Sequence, residues 1–171
     1  MTPLQGIPGS ADTRLYLVAG LRGTIPRGDE LLVMVHGPAA KESRVQREYV
    51  EKGQSSLRRW LDGQADEPEA GDGGETSADR HQKVPDLDDA SGSRFYYFER
   101  TAADGWRLLA ICAGAGTDDP AAAEEPPRPA TCSVSYPLDG RTVTFRLDEP
   151  VLLSDRHDRI RRHVLSALAK P

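Results

Sequence analysis

Alternating apolar residues around one Asp-Gly pair constrain the fold of this chain more than any other feature. The pair is Asp139-Gly140, and every second residue on both sides of it is apolar. These residues are Cys132, Val134 and Tyr136 before the pair and Val143, Phe145 and Leu147 after it. A period of two is typical of a strand with one buried face, and Asp-Gly favours a two-residue hairpin turn. The pattern therefore predicts a β-hairpin.

The period changes after the hairpin. Leu153, His157, Ile160, Val164 and Leu168 recur every three or four residues, as on one face of an α-helix. We predict that an amphipathic helix closes the chain.

The upstream sequence contains both kinds of pattern. It predicts strands at residues 14–19, 30–35, 94–100 and 106–113 and a long helix at residues 39–61. Hairpins dominate this order, so the chain is predicted to be α+β, with a mostly antiparallel sheet of about six strands and two helices on one face. With 171 residues, we expect a single domain over residues 1–171. Gly53 lies on the apolar stripe of the long helix, where we expect a bend or a close contact.

Residues 62–93 form a segment of different composition. This segment has ten acidic residues against Arg80 and Lys83, a charge of -8, whereas the whole chain carries -5 and the remainder therefore +3. We interpret it as a flexible acidic surface loop, because it has too little apolar surface to offset the entropy of ordering. The basic residues elsewhere are scattered over the predicted helices, so no nucleic-acid partner is expected.

Two cysteines, Cys112 and Cys132, lie in strands that are consecutive along the chain. They form a disulfide if the strands are neighbours and the compartment is oxidising, or remain two buried thiols in a reducing one. Neither has the spacing of a metal site, and the sequence contains no P-loop or dinucleotide-binding motif. We therefore expect no metal and no cofactor.

The chain contains no apolar run of transmembrane length, so no integral membrane segment is expected. Residues 1–10 lack the basic and apolar regions of a secretory signal. A periplasmic location would need a signal outside this sequence, and a cytoplasmic location is the alternative.

Two histidines are the candidates for catalysis. His36 follows an apolar strand and precedes Gly37, which resembles the oxyanion-loop strand of α/β-hydrolases, but no G-x-S-x-G motif accompanies it. His157 falls on the apolar stripe of the last helix, which favours a packing role. A small hydrolase that uses His36 or His157 would need a nucleophile. The candidate nucleophiles are Ser55, Ser133 and Ser135.

Aromatic residues in the central hairpin are candidates for protein binding. Tyr96, Tyr97 and Trp106 lie in predicted strands, where half of the side chains face outward. An exposed Tyr or Trp can anchor an interface, and packing in the core is the alternative for each.

The tail resembles the end of a known family. The string from Cys132 to Phe145, then Leu152-Leu153 and the helix that contains Ile160, is similar to the last part of bacterial immunity proteins that neutralise lipase-type effectors of type VI secretion. The similarity covers the last quarter of the chain, and His157 stands where the family has an aromatic residue. The resemblance implies a periplasmic, non-enzymatic protein that binds a toxin and blocks its active site.

The sequence thus predicts a non-enzymatic inhibitor whose partner is a cognate toxin. The alternatives are the small hydrolase and a structural component of a cell-envelope complex.

Overall fold

The computed structural model describes residues 2–3, 12–26, 28–64, 80–102, 105–114 and 129–169. Within these residues the chain forms eight strands and three helices. The strands are β1 (Thr2–Pro3), β2 (Thr13–Val18), β3 (Leu31–His36), β4 (His81–Pro85), β5 (Arg94–Arg100), β6 (Trp106–Ala113), β7 (Thr131–Leu138) and β8 (Arg141–Asp148). The helices are α1 (Lys41–Gln64), α2 (Glu149–Leu152) and α3 (Asp155–Leu168).

The predicted α+β class with antiparallel strand pairing is confirmed. Seven strands have five residues or more, one more than the six predicted, and the additional strand is β4.

The chain divides into two compact units, which comprise residues 1–46 with 131–171 and residues 47–130. The extent of a single domain and the placement of the helices on one face stay predictions.

The first unit is a sheet with the strand order β1-β2-β3-β8-β7. The predicted hairpin joins β7 to β8 through Asp139 and Gly140, which have φ angles of 49° and 73°. The two-residue turn whose twist matches that of the flanking strands requires positive φ angles at both central residues. Asp followed by Gly is one of the pairs that favour this conformation. Val134, Phe145 and Val33 lie opposite one another on β7, β8 and β3, and all three are fully buried.

The predicted terminal helix begins later than its apolar stripe suggests. Leu153 is exposed and separates α2 from α3. Ser154 is the N-cap of α3, and its hydroxyl accepts a hydrogen bond from the backbone N–H of Arg156. From this start, α3 buries His157, Ile160 and Val164, as the stripe predicts.

The second unit contains the sheet β4-β5-β6 and the greater part of α1. Its core is a cluster of four buried side chains from α1, β4 and β5, against which four partly buried ones pack. The buried residues are Leu57, Val84, Tyr96 and Phe98, and the others are Trp60, Trp106, Leu108 and Ile111. Gly53 makes the expected close contact, because a Cβ at this position would lie 3.2 Å from the Tyr96 ring.

The segment interpreted as an acidic loop has structure at both ends. Helix α1 continues to Gln64, and β4 pairs with β5. Strand β4 has only one buried side chain, Val84, because its other side chains are polar or exposed. Residues 62–64 therefore belong to α1 and residues 81–85 to β4, while residues 65–79 lie outside the described part of the chain, and a flexible acidic loop stays a prediction. Most of the second predicted loop, residues 115–128, lies outside it as well.

The turn between β4 and β5 is also ordered. The Ser91 hydroxyl and then the Arg94 backbone N–H donate to the Asp89 carboxylate, and these hydrogen bonds lower the pKa of Asp89 to about 2. The charged carboxylate thus ties the turn to the first residue of β5.

Cys112 of β6 and Cys132 of β7 are joined in a disulfide bond. The sequence left this bond as one of two alternatives, and the disulfide is confirmed. Both cysteines are fully buried.

Candidate functional site

A polar cluster surrounds His36, at the end of β3. Thr13 lies opposite His36 on β2, and Thr142 lies opposite it on β8. The oxygen of the Thr13 hydroxyl is 3.2 Å from Nδ1 of His36, and the hydroxyl group donates a hydrogen bond to Oε2 of Glu42, also at 3.2 Å. Glu42 is the second residue of α1. The hairpin register and the start of α1 therefore bring a hydroxyl, an imidazole and a carboxylate together.

The His36 side chain is only 4% exposed. Burial lowers the pKa of His36, and the negative charge of Glu42 opposes this shift only in part. Burial therefore favours the neutral form of the imidazole. Thr13 has one hydroxyl hydrogen, and while it donates to Glu42, the Nδ1–H of His36 must donate to the Thr13 oxygen. In that arrangement Glu42 is the group placed to accept the Thr13 proton.

The turn after His36 is tightly bonded. The backbone N–H of Gly37 donates to the Asp12 carbonyl at 2.7 Å, and the buried Ser43 hydroxyl donates to the Gly37 carbonyl at 2.8 Å. A Cβ at Gly37 would overlap the Asp12 carboxylate, so a larger residue here would require the exposed Asp12 side chain to move. The turn fixes the direction in which the chain leaves β3 and hence the position of Glu42.

His157, the second predicted catalytic histidine, is buried in the first unit. Its Nε2 is hydrogen-bonded to the Tyr136 hydroxyl, and the two rings stack with centroids 6.0 Å apart. Tyr136 also stacks on Phe145, and the Arg161 guanidinium lies 4.6 Å from the centroid of the Tyr136 ring. These contacts give His157 the packing role that its place on the apolar stripe favours.

In the described part of the chain, none of the three predicted nucleophiles forms a hydrogen bond with His36 or His157. Ser55 is exposed on α1. The hydroxyl of Ser135 is 3.2 Å from that of Thr144 on β8, and Ser133, its neighbour along the same strand face, is half-buried. The hydroxyl that the structure brings to His36 is that of Thr13.

The three aromatic residues predicted to bind a partner have little exposed surface. Tyr96 is fully buried, Tyr97 is 5% exposed, and Trp106 packs against the core cluster of the second unit. The Tyr96 hydroxyl donates to the buried Asp86 carboxylate at 2.9 Å. Burial and then this hydrogen bond raise the pKa of Tyr96. A partner-binding role for the three stays a prediction.

Sequence reasoning missed Thr13, Glu42 and Asp86. The predicted strands at residues 14–19 and 30–35 carried a signal for Thr13, because extending their antiparallel register by one pair places it opposite His36. Glu42 and Asp86 depend on turns whose geometry has no comparable signal.

Among the described residues, no group of three His, Cys, Asp or Glu side chains is arranged to hold a metal ion. None of the helices in this part of the chain combines the length and apolar character needed to cross a lipid bilayer. Comparison with protein-family models, curated proteins and solved structures finds no match.

Proposed function

We propose that this chain is a non-enzymatic inhibitor that binds and neutralises a secreted bacterial toxin outside the cytosol. The observation that carries the proposal is the disulfide between Cys112 and Cys132. Structural disulfides persist in oxidising compartments such as the periplasm, where an incoming effector of type VI secretion would meet its inhibitor. The hairpin and helix that carry the family resemblance are present in the first unit.

The contacts of the histidines also support a binding protein. His157 is used in the core through Tyr136, and Nε2 of His163 lies 2.7 Å from the Ala19 carbonyl oxygen, to which it donates. Gly20 adjoins this contact, where a Cβ would lie 3.2 Å from the His163 ring. Imidazoles that are hydrogen-bonded in this way stabilise the fold.

The test is co-expression with the toxin encoded by the neighbouring gene. We expect the two proteins to elute together in size-exclusion chromatography at micromolar concentration. We also expect cells that export the toxin to their periplasm to survive only if this chain is exported as well. Separate elution, or equal protection by chain confined to the cytosol, would contradict the proposal.

A second candidate function is hydrolysis at Thr13, which the contact between its hydroxyl and His36 favours. Thr13 would be the nucleophile, and His36 or Glu42 the base. A fluorophosphonate probe tests this activity, because it labels activated hydroxyl groups. Labelling that is lost in Thr13→Val and His36→Ala, and kept in Ser55→Ala, would establish a hydrolase. Unlabelled protein would remove this candidate.

A further inference from the structure

The outer face of α3 carries three exposed arginines that have few contacts with the described residues. Arg156, Arg159 and Arg162 are spaced by three residues, so they lie on one side of the helix and span about 9 Å along its axis. We call this surface the arginine face. The opposite side of α3 is the buried one, with His157 and Ile160.

The charged groups of the arginine face have few partners in the protein. Among the described residues, the guanidinium groups of Arg156 and Arg159 form no ion pair and no hydrogen bond, and that of Arg162 donates only to the backbone carbonyl of Asp158. Arg161, by contrast, lies over the Tyr136 ring. Among the arginines of α3, Arg161 is thus the one that contacts a buried side chain of the described residues.

The helix dipole does not explain the arginine face either. Basic side chains stabilise a helix at its C-terminal end, but the last turn of α3 has none and Arg156 lies in the first turn. The acids of α3, Asp155 and Asp158, do stand in the first turn, where the helix dipole favours them.

We infer that the arginine face is a contact surface for an acidic patch on the partner protein. This inference rests on the proposed function and names the chemistry of the partner's surface. Arginine is enriched in protein interfaces, because its planar guanidinium forms paired hydrogen bonds with carboxylates.

A protein suits this surface better than a phosphate-rich ligand. Asp155 and Asp158 are exposed beside the arginines and would repel a nucleic-acid backbone or an anionic membrane. A protein surface can place its own basic groups against these two aspartates.

The experiment measures toxin binding by surface plasmon resonance for the wild type, for Arg156→Glu/Arg159→Glu, and for a control with the same change of charge. The control is Lys41→Glu/Arg44→Glu, since both residues are exposed at the start of α1. Circular dichroism checks the fold. The melting temperature of the first variant should be close to that of the wild type, because Arg156→Glu places an acid in the first turn of α3.

At 50 mM salt, we expect the association rate to fall by about tenfold or more in the Arg156/Arg159 variant and by less than about twofold in the control. The difference should shrink at 500 mM salt, where screening is strong. Equal effects of the two variants, or no effect, on a toxin that the wild type binds would overturn the inference and leave the proposed function standing. A wild type that binds no toxin would overturn both.

Other occupants of the arginine face give different results. A short DNA duplex and vesicles with 30% phosphatidylglycerol serve as probes, and binding to either that is lost in the Arg156/Arg159 variant would overturn the inference. Sedimentation tests a second copy of this chain, whose segment 62–93 is acidic. Self-association that only this variant abolishes would also overturn it.

Discussion

Reduction of the Cys112–Cys132 disulfide should lower the stability of the protein by about 3 kcal/mol. The bond closes a loop between residues that are 20 positions apart in the numbering. In the chain-entropy description, opening a loop of this size returns about 3 kcal/mol of conformational freedom to the unfolded chain. For a chain of 171 residues, this corresponds to a decrease of about 6–12 °C in melting temperature.

Reduction is a cleaner perturbation than mutation here. Both sulfur-bearing side chains are fully buried, and reduction leaves them in place. The Cys112→Ala/Cys132→Ala variant also loses buried volume, so its melting temperature should lie below that of the reduced wild type. The variant serves as the control, since reductant should not change its melting temperature.

The assay combines a thiol titration with thermal melting. Protein purified without reductant and then unfolded should show no free thiol, and melting followed by circular dichroism should occur at a lower temperature with reductant. Two free thiols per chain, together with identical melting in both conditions, would refute the reasoning. That result would also remove the observation that carries the proposed location.

Three further predictions concern the second unit and are measured by chemical denaturation. Gly53→Ala should lower stability by about 1 kcal/mol, because overpacking against the buried Tyr96 ring outweighs the gain in helix propensity. Gly63→Ala is the control, and it should be neutral or stabilising because the space around Gly63 is open. Ser56→Ala should raise the free energy of unfolding by about 1 kcal/mol, because it removes a buried hydroxyl without a hydrogen-bond partner among the described residues. A lower free energy of unfolding in this variant would contradict the prediction. Tyr96→Phe should cost about 1–3 kcal/mol by leaving Asp86 short of a donor. Since the pKa of Tyr96 is raised from 10.0, wild-type stability should decline as pH rises above 10, and Tyr96→Phe should weaken that decline.

Elements with strong local signals were predicted with correct bounds. The predicted strands at residues 94–100 and 106–113 coincide with β5 and β6, because a run of aromatic residues marks the first and a run of apolar residues marks the second. Strand β4 was missed, because Val84 is its one buried residue and its pairing with β5 is a tertiary contact. The start of α3 had a signal in the capping residue Ser154, which the apolar stripe obscured.

The candidate site was predicted only in part. His36 was identified from its place at a strand end, and its partner Thr13 follows from the register of β2 and β3. Glu42 reaches the site through the turn at Gly37, and backbone contacts with Asp12 set that turn. Such contacts join residues far apart in sequence and leave no pattern in composition or periodicity.

The distribution of tryptophan and histidine lets the two units be observed separately. Both tryptophans, Trp60 and Trp106, pack against the core cluster of the second unit. Three of the four histidines, His36, His157 and His163, belong to the first unit. Intrinsic fluorescence therefore reports on one unit, while the imidazole signals in a proton NMR spectrum report mainly on the other. If the two probes change together during unfolding, the units form one cooperative system, and if they change at different denaturant concentrations, each unit has a stability of its own.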